Sequence, residues 1–596
     1  MNHNRPSWAV RGVPVGAALG LLAWAVFTSA AAGRTAPQLW FYYSTNLLVN
    51  ANVRTLDRIW HDAAADGYSH VLLCDSKFAR LGALGSIRRR YLAHLAHVMA
   101  LAKQLHLTVV PDVFQVGYSN DLLANDPALA AGLPVRDVKF IVRSGVGRVW
   151  QKPKFGFSAR PAWQDSSVRR RGQVATITNN SGNSRMVFAL AVQPFHAYHI
   201  RVDIRTRRYT GRPRIAVLAR GNASLQYQRI NVRPSQPWRR YDVVFDSLAH
   251  HHVNVYFGVW GAAKGVLGWR NWHVAVAGLV NVLSRPGAPT VVQGYQAGRD
   301  YVPIHDPLLG TTARGPGKNN FTLSGWFFWP PASLFAPYRP TSGVCLSLTP
   351  RQRPKLLRRK MRIYFRAVPY SGEYTAWHKC PSIHFLKAVP NGSVVRVSWF
   401  YPPIFYDGQV SIALGCPRTK ALLRQEMRQV KAVLHPQGYM MSFDEIRIMG
   451  WGLRGTRPHE LPGRLLAGSV RYCTHLLGTS QGYIWSDMFD PYHNAHAHYY
   501  LVHGSLAGSW RGLSPKVVVM NWNFGRRDAS LKFFATRGYR QIIAGYYDSP
   551  LANLRLWMAS AAGVHGVIGY MYTTWRGDYQ QLGAFAQMVR HEGTEK

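Results

Sequence analysis

The stretch Leu39-Trp40-Phe41-Tyr42-Tyr43 decides the predicted fold, because it is an apolar run of strand length that a helical pattern follows. Apolar residues recur at helical spacing from Val53 to Ala63, and a second apolar run follows at His70–Cys74. A longer helical pattern then leads to a third run, Thr108–Asp112. Strand–helix units repeated in this way predict a parallel sheet that is covered by helices.

This alternation stops near residue 135 and resumes at Pro417. Five further strand-like segments then follow, at Tyr439–Phe443, Gly482–Trp485, Val517–Met520, Gln541–Ala544 and Val567–Met571. Three strands before the interruption and five after it predict an α/β fold, a (β/α)8 TIM barrel, with inserted all-β sandwich domains. The count assigns Val395–Phe400 to the insertion, and a barrel that included this strand would have nine.

The interruption has many Gly, Pro and Asn residues and short apolar runs, which is typical of β-structure. The sequence therefore predicts five regions along the chain. They are a signal peptide (1–32), the first part of the barrel (37–134), an inserted carbohydrate-binding-like β-sandwich (150–285), a second β-rich insertion (286–410) and the second part of the barrel (411–596).

The N-terminus has the pattern of an export signal. Arg5 and Arg11 precede the apolar run Val13–Phe27, and small residues follow that run. This order is that of a secretory signal peptide, which predicts a secreted or periplasmic protein. A retained membrane anchor is the alternative.

The charge of the chain is strongly unbalanced, with 72 Lys and Arg against 27 Asp and Glu among 596 residues, a net charge of +45. The basic residues are scattered and accompany no zinc-finger or RNA-recognition signature, so no specific nucleic-acid partner is predicted. Two interpretations stay open. The protein binds an anionic surface or polymer, or it works in acid, where exposed carboxylates would be neutral and are of little use.

A (β/α)8 barrel has its active site at the carboxyl ends of the strands. Carboxylates follow strands 2, 3, 4, 5 and 7, and aromatic residues accompany them. Glycosidic cleavage needs carboxylates for acid–base chemistry, and aromatic faces can stack on sugar rings. The predicted substrate-binding residues are Asp75, Asp112, Trp485, Asp487, His493, Asn494, Trp522, Tyr546, Tyr572 and Trp575. No metal site and no cofactor are predicted, since the histidines at 493–498 match no zinc-protease pattern.

The adjacent pair Asp444-Glu445 is the predicted catalytic centre. Glu445 is the expected general acid, with its pKa raised by apolar neighbours such as Phe443, and Asp444 is its partner. The alternative is a structural ion pair between Glu445 and Arg447 or Arg454. A second mechanism takes the acid from Glu445 and a nucleophile from Asp548, after strand 7.

The Asp444-Glu445 pair at the end of strand 4 resembles the catalytic pair of family 20 glycoside hydrolases, the β-N-acetylhexosaminidases. Trp485, Trp522, the segment 546–548 and Trp575 are similar to the aromatic pocket of that family. The resemblance implies that Asp444 orients an acetamido group of the substrate, that Glu445 protonates the leaving oxygen and that Tyr547, or alternatively Tyr546, binds the acetamido oxygen. The chain departs from the family at strand 1, where the sugar-binding Arg has no counterpart in Trp40–Asn46.

The first insertion resembles carbohydrate-binding modules of the jelly-roll type, on the segments 192–202, 238–241 and 255–261. Trp260, Trp269 and Trp272 are its candidates for stacking on sugar, with a place in the core as the alternative. The predicted function is an exported glycoside hydrolase that cleaves O-glycosidic bonds in a poly- or oligosaccharide. The alternative is a non-catalytic, polysaccharide-binding surface protein with a degenerate barrel.

Overall fold

The computed structural model describes residues 36–310, 374–406, 408–452 and 461–594. The chain begins with alternating strands and helices, as the apolar pattern predicts. These elements are β1 (Gln38–Ser44), α1 (Asn50–Ala65), β2 (His70–Cys74), α2 (Arg88–Gln104), β3 (Thr108–Val113) and the short α3 (Asn120–Leu123). The face of α1 that carries Val53, Leu56 and Trp60 is buried, because these residues lie three or four positions apart.

The insertion is made of antiparallel strands. They are β4 (Leu133–Arg143), β5 (Val146–Val149), β6 (Trp163–Gln164), β7 (Val168–Arg171), β8 (Val174–Asn180), β9 (Ser184–Ala191), β10 (Ala197–Arg207), β11 (Arg214–Leu218), β12 (Ser224–Arg229), β13 (Gln236–Asp246), β14 (His252–Val259), β15 (Ala263–Val276), β16 (Val291–Val292), β17 (Ile383–His384) and β18 (Val394–Tyr401). Residues 311–373, within the predicted second insertion, lie outside the described residues.

The strand–helix alternation then resumes. Its elements are α4 (Pro417–Leu434), β19 (Gly438–Met441), β20 (Ile448–Met449), α5 (Pro462–Leu477), β21 (Gln481–Trp485), β22 (Leu501–Val502), β23 (Val518–Asn521), α6 (Arg527–Ala535), β24 (Gln541–Ile543), α7 (Ala552–Ala561), β25 (Val567–Tyr572) and α8 (Leu582–Thr594). Pro417 begins α4 at a position where its missing N–H has no intrahelical partner to lose.

Eight parallel strands form a closed barrel in the order β1-β2-β3-β19-β21-β23-β24-β25. The predicted closure is confirmed, because β25 pairs with β1 through Gln38 and Gly569. Strand β18 pairs with β4 in a separate antiparallel sheet, which excludes the nine-strand alternative. An α-helix follows every barrel strand except β21, after which the chain forms only 3₁₀ turns and the short β22 before β23 begins.

Two five-stranded sheets form a β-sandwich, with the orders β13-β10-β15-β8-β7 and β12-β11-β14-β9-β6. Their inner faces share one hydrophobic core that includes Ile200, Phe257 and Trp269. Trp269 is therefore a core residue, and Trp272 packs against the same core. Trp260, in contrast, is half-buried.

A third sheet has the order β16-β18-β4-β5-β17. It joins residues 133–149, which precede the predicted sandwich, to strands from the predicted second insertion, because β4 and β18 pair along most of their lengths. No helix among the described residues is long and apolar enough to span a membrane. The predicted signal peptide, 1–32, lies outside those residues.

Candidate active site at the carboxyl ends of the barrel strands

The chain bends sharply where β19 ends. Glu445 has a φ of +43°, a left-handed conformation that is unusual for a residue with a side chain. Two hydrogen bonds hold the backbone there. The Glu445 N–H donates to Oδ2 of Asp487 at 2.8 Å, and Nε2 of Gln409 donates to the Glu445 carbonyl at 3.0 Å. This bend allows two consecutive residues to serve one site, which a regular strand would not.

The Glu445 carboxylate has a protein partner at each oxygen. Its Oε1 lies 2.7 Å from Nη2 of Arg447, and the Tyr118 hydroxyl donates to its Oε2. Burial would raise the pKa of Glu445, but the Arg447 charge and the Tyr118 hydrogen bond outweigh it and lower that pKa. The predicted raised pKa of Glu445 is therefore wrong. The ion pair with Arg447 is present, whereas Arg454 lies outside the described residues.

Arg447 is itself enclosed by aromatic rings. Its guanidinium lies 4.2 Å from the ring centroid of Tyr406, 5.2 Å from that of Tyr500 and 5.5 Å from that of Tyr118. The Tyr406 and Tyr500 hydroxyls are 2.8 Å apart, and Arg447 also donates to Gln409. Since Tyr406 and Gln409 follow β18, the end of the insertion completes the barrel site.

Asp444 has the opposite electrostatic environment. Burial raises the pKa of Asp444 well above its ordinary value, and the nearby charges of Asp487, Glu445 and Asp112 raise it further. The Ser442 hydroxyl donates to its Oδ1 at 3.1 Å. The pKa values of these two adjacent carboxyl groups are thus shifted in opposite directions. Asp444 favours its protonated form, and Glu445 favours its ionised form. Such a divergence is what separates an acid from a base in an active site.

Asp487 is fully buried beneath this pair. It accepts hydrogen bonds from the Glu445 N–H, from Nδ2 of Asn494 at 2.8 Å and from Nε1 of Trp522 at 3.4 Å. Burial raises its pKa to about 7. Asp487 thus holds the backbone of Glu445, and Asn494 in turn holds Asp487. Both residues are buried, and their substrate-binding role stays a prediction.

Aromatic rings form a wall beside the carboxylates. The Tyr547 hydroxyl donates to the Trp522 carbonyl at 2.9 Å, and the Tyr547 ring lies 5.9 Å from that of Trp575. Trp485 is 6.4 Å from Trp575, and His493 meets Trp522 edge-on at 4.3 Å. Burial raises the pKa of Tyr547, and the charges of Asp487, Glu445 and Asp444 add to that effect, so this wall is close to the acidic group.

Three predicted substrate-binding residues have other roles. Asp75 begins a 3₁₀ turn, is fully buried and pairs with Lys77 at 3.1 Å. Tyr546 and Tyr572 stack 4.7 Å apart in the core that lies between the barrel and its helices. Neighbouring residues at a strand end face opposite sides, and Tyr547, not Tyr546, lies beside the carboxylates.

Two further predicted residues, Asp112 and Asp548, make contacts outside the aromatic wall. Asp112 is fully buried, accepts a hydrogen bond from Nε2 of Gln115 at 3.2 Å and adds its charge to the environment of Asp444. Oδ2 of Asp548 accepts from the backbone N–H of Trp575 at 2.9 Å and of Arg576 at 3.2 Å. Asp548 thereby connects the loops after β24 and β25. Within the described ranges no three metal-binding side chains form a group that would hold an ion.

The sequence analysis missed several residues that shape the site. Tyr118 lies five residues beyond β3, and Tyr406 and Gln409 follow β18. The position of Tyr118 beyond a barrel strand is a weak signal that was available in the sequence. No spacing in the sequence connects Tyr406 or Gln409 to Glu445, because an insertion separates them from the barrel strands.

Comparison with known proteins gives matches among solved structures alone. No family model matches the chain, and no curated protein matches it. The resemblance to family 20 glycoside hydrolases thus gains no support from these comparisons.

Several of the matching structures are carbohydrate-binding modules. A CBM4 structure is 15% identical over 26% of this chain and 91% of its own, with a TM-score of 0.16. CBM6cm-2 of Cellvibrio mixtus lichenase 5A, solved with cellotriose, is 12% identical over 21% of this chain and 97% of its own, with a TM-score of 0.17. The xylan-binding domain CBM22-1 of Paenibacillus barcinonensis Xyn10C is 11% identical over 24% and 96%, with a TM-score of 0.16.

Proposed function

We propose that the protein is an exported glycoside hydrolase that cleaves O-glycosidic bonds in a poly- or oligosaccharide, with a (β/α)8 barrel as its catalytic scaffold. One observation carries the proposal. Asp444 and Glu445 are adjacent carboxyl groups with opposite pKa shifts, beside a wall of aromatic rings. Glycosidic hydrolysis requires one protonated and one ionised carboxyl group, and aromatic rings offer apolar faces for sugar.

The pKa shifts assign the two roles in reverse of the sequence prediction. Asp444 is the proton donor to the glycosidic oxygen, because its environment favours the neutral acid. Glu445 is the ionised carboxylate that accepts a proton from water or stabilises positive charge at the anomeric carbon. Tyr547 and Trp575 supply ring faces for the sugar, and Asp487 holds the bend at Glu445 in place. The reaction needs no metal or cofactor.

Export is part of the proposal and has its own test. The predicted signal peptide implies that the mature chain is secreted or periplasmic and begins near residue 33. N-terminal sequencing of protein from the extracellular and periplasmic fractions measures this directly. Full-length chain retained in the membrane fraction would instead support the anchor.

A second candidate function is non-catalytic polysaccharide binding by a degenerate barrel. The observation that favours it is that both oxygens of Glu445 already have protein partners, Arg447 and Tyr118. A carboxylate held in this way is suited to fixing the shape of the barrel mouth. In that case Asp444 and Glu445 would both be structural.

The decisive experiment measures turnover of a panel of aryl glycosides, N-acetylated sugars included, at acid and neutral pH. The proteins compared are the wild type, Asp444→Asn, Glu445→Gln and the control Asp528→Asn, which alters an exposed carboxylate on α6. We expect each site variant to lose about 10²–10⁴-fold in kcat, and the control to match the wild type. An Asp444→Asn variant that keeps more than a tenth of the rate contradicts the assigned acid. A wild type that binds glycans but cleaves none supports the second candidate.

A further inference from the structure

The outer face of the sandwich sheet β12-β11-β14-β9-β6 carries a row of aromatic residues. Tyr227 is paired with Ala216, Ala216 with Tyr256, Tyr256 with Val187 and Val187 with Trp163. Directly paired residues project from the same face of a sheet, so these five form one row across it. The row spans about 19 Å, since neighbouring strands lie about 4.8 Å apart. Its aromatic members are separated by smaller side chains.

A second row on the same face contains arginines. Arg229, Arg214, Gly258 and Arg185 are paired across the same strands, two residues along from the aromatic row. Residues two apart on a strand share a face. Arginine and aromatic side chains therefore alternate on this surface, which we call the arginine face.

Arg214 is the best placed of these arginines to bind a ligand. Its guanidinium lies 5.2 Å from the ring centroid of Tyr227 and 5.6 Å from that of Trp260, and it donates to the Tyr227 hydroxyl. Its Nε is buried and has no hydrogen-bond partner, and no carboxylate of the described chain lies within ion-pair distance of it. Arg185 differs, because Asp165 pairs with it at 3.0 Å. A cation that lies beside two aromatic rings and has no carboxylate partner among the described residues suits an anionic group on a sugar.

The arginine face continues to the barrel mouth through Tyr406. The Tyr406 N–H donates to the Tyr227 carbonyl at 2.8 Å, and the two rings are 5.2 Å apart. Tyr406 in turn packs on Arg447, which pairs with Glu445. Tyr227, Tyr406 and Arg214 are each half-buried, so they present part of their surface to solvent.

We propose that the arginine face and the barrel mouth form one continuous binding track for an anionic polysaccharide, in which Arg214 binds the carboxylate or sulfate group of a sugar. Tyr256 and Trp260 supply the neighbouring ring faces. This inference rests on the proposed function, since it names the substrate class of the same site. The net charge of +45 favours the approach of such a polymer.

The test measures the Kd of the full chain by isothermal titration calorimetry, in an Asp444→Asn background that removes turnover. The probes are polygalacturonate, which carries carboxylates, dextran sulfate, which carries sulfates, and uncharged dextran. Arg214→Gln is compared with Arg240→Gln, which removes an exposed arginine from β13 of the opposite sheet. Arg214→Lys, which keeps the charge, guards against a fault in folding.

We expect Arg214→Gln to weaken binding of one anionic polymer about tenfold or more, as loss of a charge-assisted hydrogen bond does. The polymer affected identifies carboxylate or sulfate as the ligand group. Arg240→Gln should change the same Kd less than about twofold, and Arg214→Lys should fall between the two. Equal Kd values for Arg214→Gln and Arg240→Gln overturn the proposal. A parent protein that binds neither anionic polymer overturns it as well.

Continuity of the track is tested by Trp575→Ala at the barrel mouth. A continuous track requires that Trp575→Ala also weaken binding of the long anionic polymer. An unchanged Kd would separate the arginine face from the barrel and refute the track. Because these measurements need no turnover, binding through Arg214 by a protein that cleaves nothing would remove the proposed hydrolysis and leave the substrate class of the arginine face established.

Discussion

The barrel mouth is lined by acidic side chains and the arginine face by basic ones, and the two sets differ in their exposure to solvent. At the barrel mouth lie Asp112, Asp444, Glu445 and Asp487, four of the 27 acidic residues in the chain. Three of them are buried, and Glu445 is half-buried but paired with Arg447. On the arginine face, Arg214 is half-buried beside two aromatic rings. Burial shifts the pKa of a carboxyl group, and acid–base catalysis depends on such a shift. Arginine stays charged, and its partial exposure leaves that charge open to a ligand.

The two regions also differ in how their charges are paired. The Glu445 carboxylate pairs with Arg447 and accepts a hydrogen bond from Tyr118, and Asp487 holds the backbone of Glu445. Arg214, in contrast, has no carboxylate of the described residues within ion-pair distance. A preorganised constellation suits the proposed catalysis, and a cation without an acidic partner suits an anionic ligand. The difference between the two regions leads to three predictions about stability, pH and binding.

The largest effect is expected from removing the cation at the barrel mouth. Arg447→Met leaves Glu445 without its ion pair, and breaking a buried pair on one side costs about 3–5 kcal/mol. Urea denaturation at neutral pH measures the free energy of unfolding. The control is Arg428→Met, which alters an exposed arginine on α4. If the free energies of unfolding of the two variants differ by less than about 1 kcal/mol, the ion pair between Arg447 and Glu445 does not stabilise the fold as predicted.

A smaller effect is expected from Glu426 on α4, which is buried and accepts hydrogen bonds from the Phe114 N–H at 3.3 Å. Burial raises its pKa to about 8. A carboxyl group with a raised pKa binds a proton in the folded state alone between its unfolded pKa and about 8, so the free energy of unfolding falls as pH rises through that range. Glu426→Gln should therefore gain about 2 kcal/mol over the wild type at pH 6 and match it at pH 4.

The control is Asp528→Asn, whose free energy of unfolding should change with pH in the same way as that of the wild type. Burial raises the pKa values of Asp487 to about 7 and of Asp121 to about 6, so both groups act in the same direction as Glu426. The whole protein is accordingly expected to be more stable near pH 4 than near pH 8. A stability maximum well above neutral pH would refute both this sign and the interpretation of the charge as an adaptation to acid.

The smallest effect is expected at the far end of the arginine face. Trp163 is 47% exposed on the short edge strand β6. Trp163→Ala should weaken polysaccharide binding about threefold and change the free energy of unfolding by less than about 0.5 kcal/mol, as is usual for exposed positions. Leu556→Ala, at an exposed apolar residue on α7, should change neither quantity. Loss of stability without loss of binding would assign Trp163 to the sandwich core instead.

The barrel was predictable because its signals are local. Apolar runs at Leu39–Tyr43, His70–Cys74 and Thr108–Asp112 each fall on a barrel strand. With the five runs that follow the insertion they make eight strands, the number from which a closed barrel was predicted. The sheet that joins β4 to β18 was not predictable, because more than two hundred residues separate its strands. Pairing between distant strands depends on packing, which periodicity does not encode.

The position of Asp444-Glu445 at a strand end was open to prediction, whereas the charge states of the two residues were not. Both residues are carboxylic acids next to apolar neighbours, and the sequence favoured Glu445 as the acid. The structure reverses this order, because Tyr118 and Arg447 converge on Glu445 and leave Asp444 among carboxylates. Tyr118 comes from a loop that lies 327 residues away in the chain.

The sequence by itself determined the strand–helix order, the interruption by β-structure, the excess of basic residues and the acidic pair after the fourth barrel strand. Each of these follows from the order and type of residues near one another in the chain. The tertiary structure decided which carboxyl group favours its proton, which tyrosine faces the mouth and which arginine has no carboxylate partner among the described residues. Those properties depend on burial and on charges within a few ångströms, and folding brings such neighbours together from distant parts of the chain.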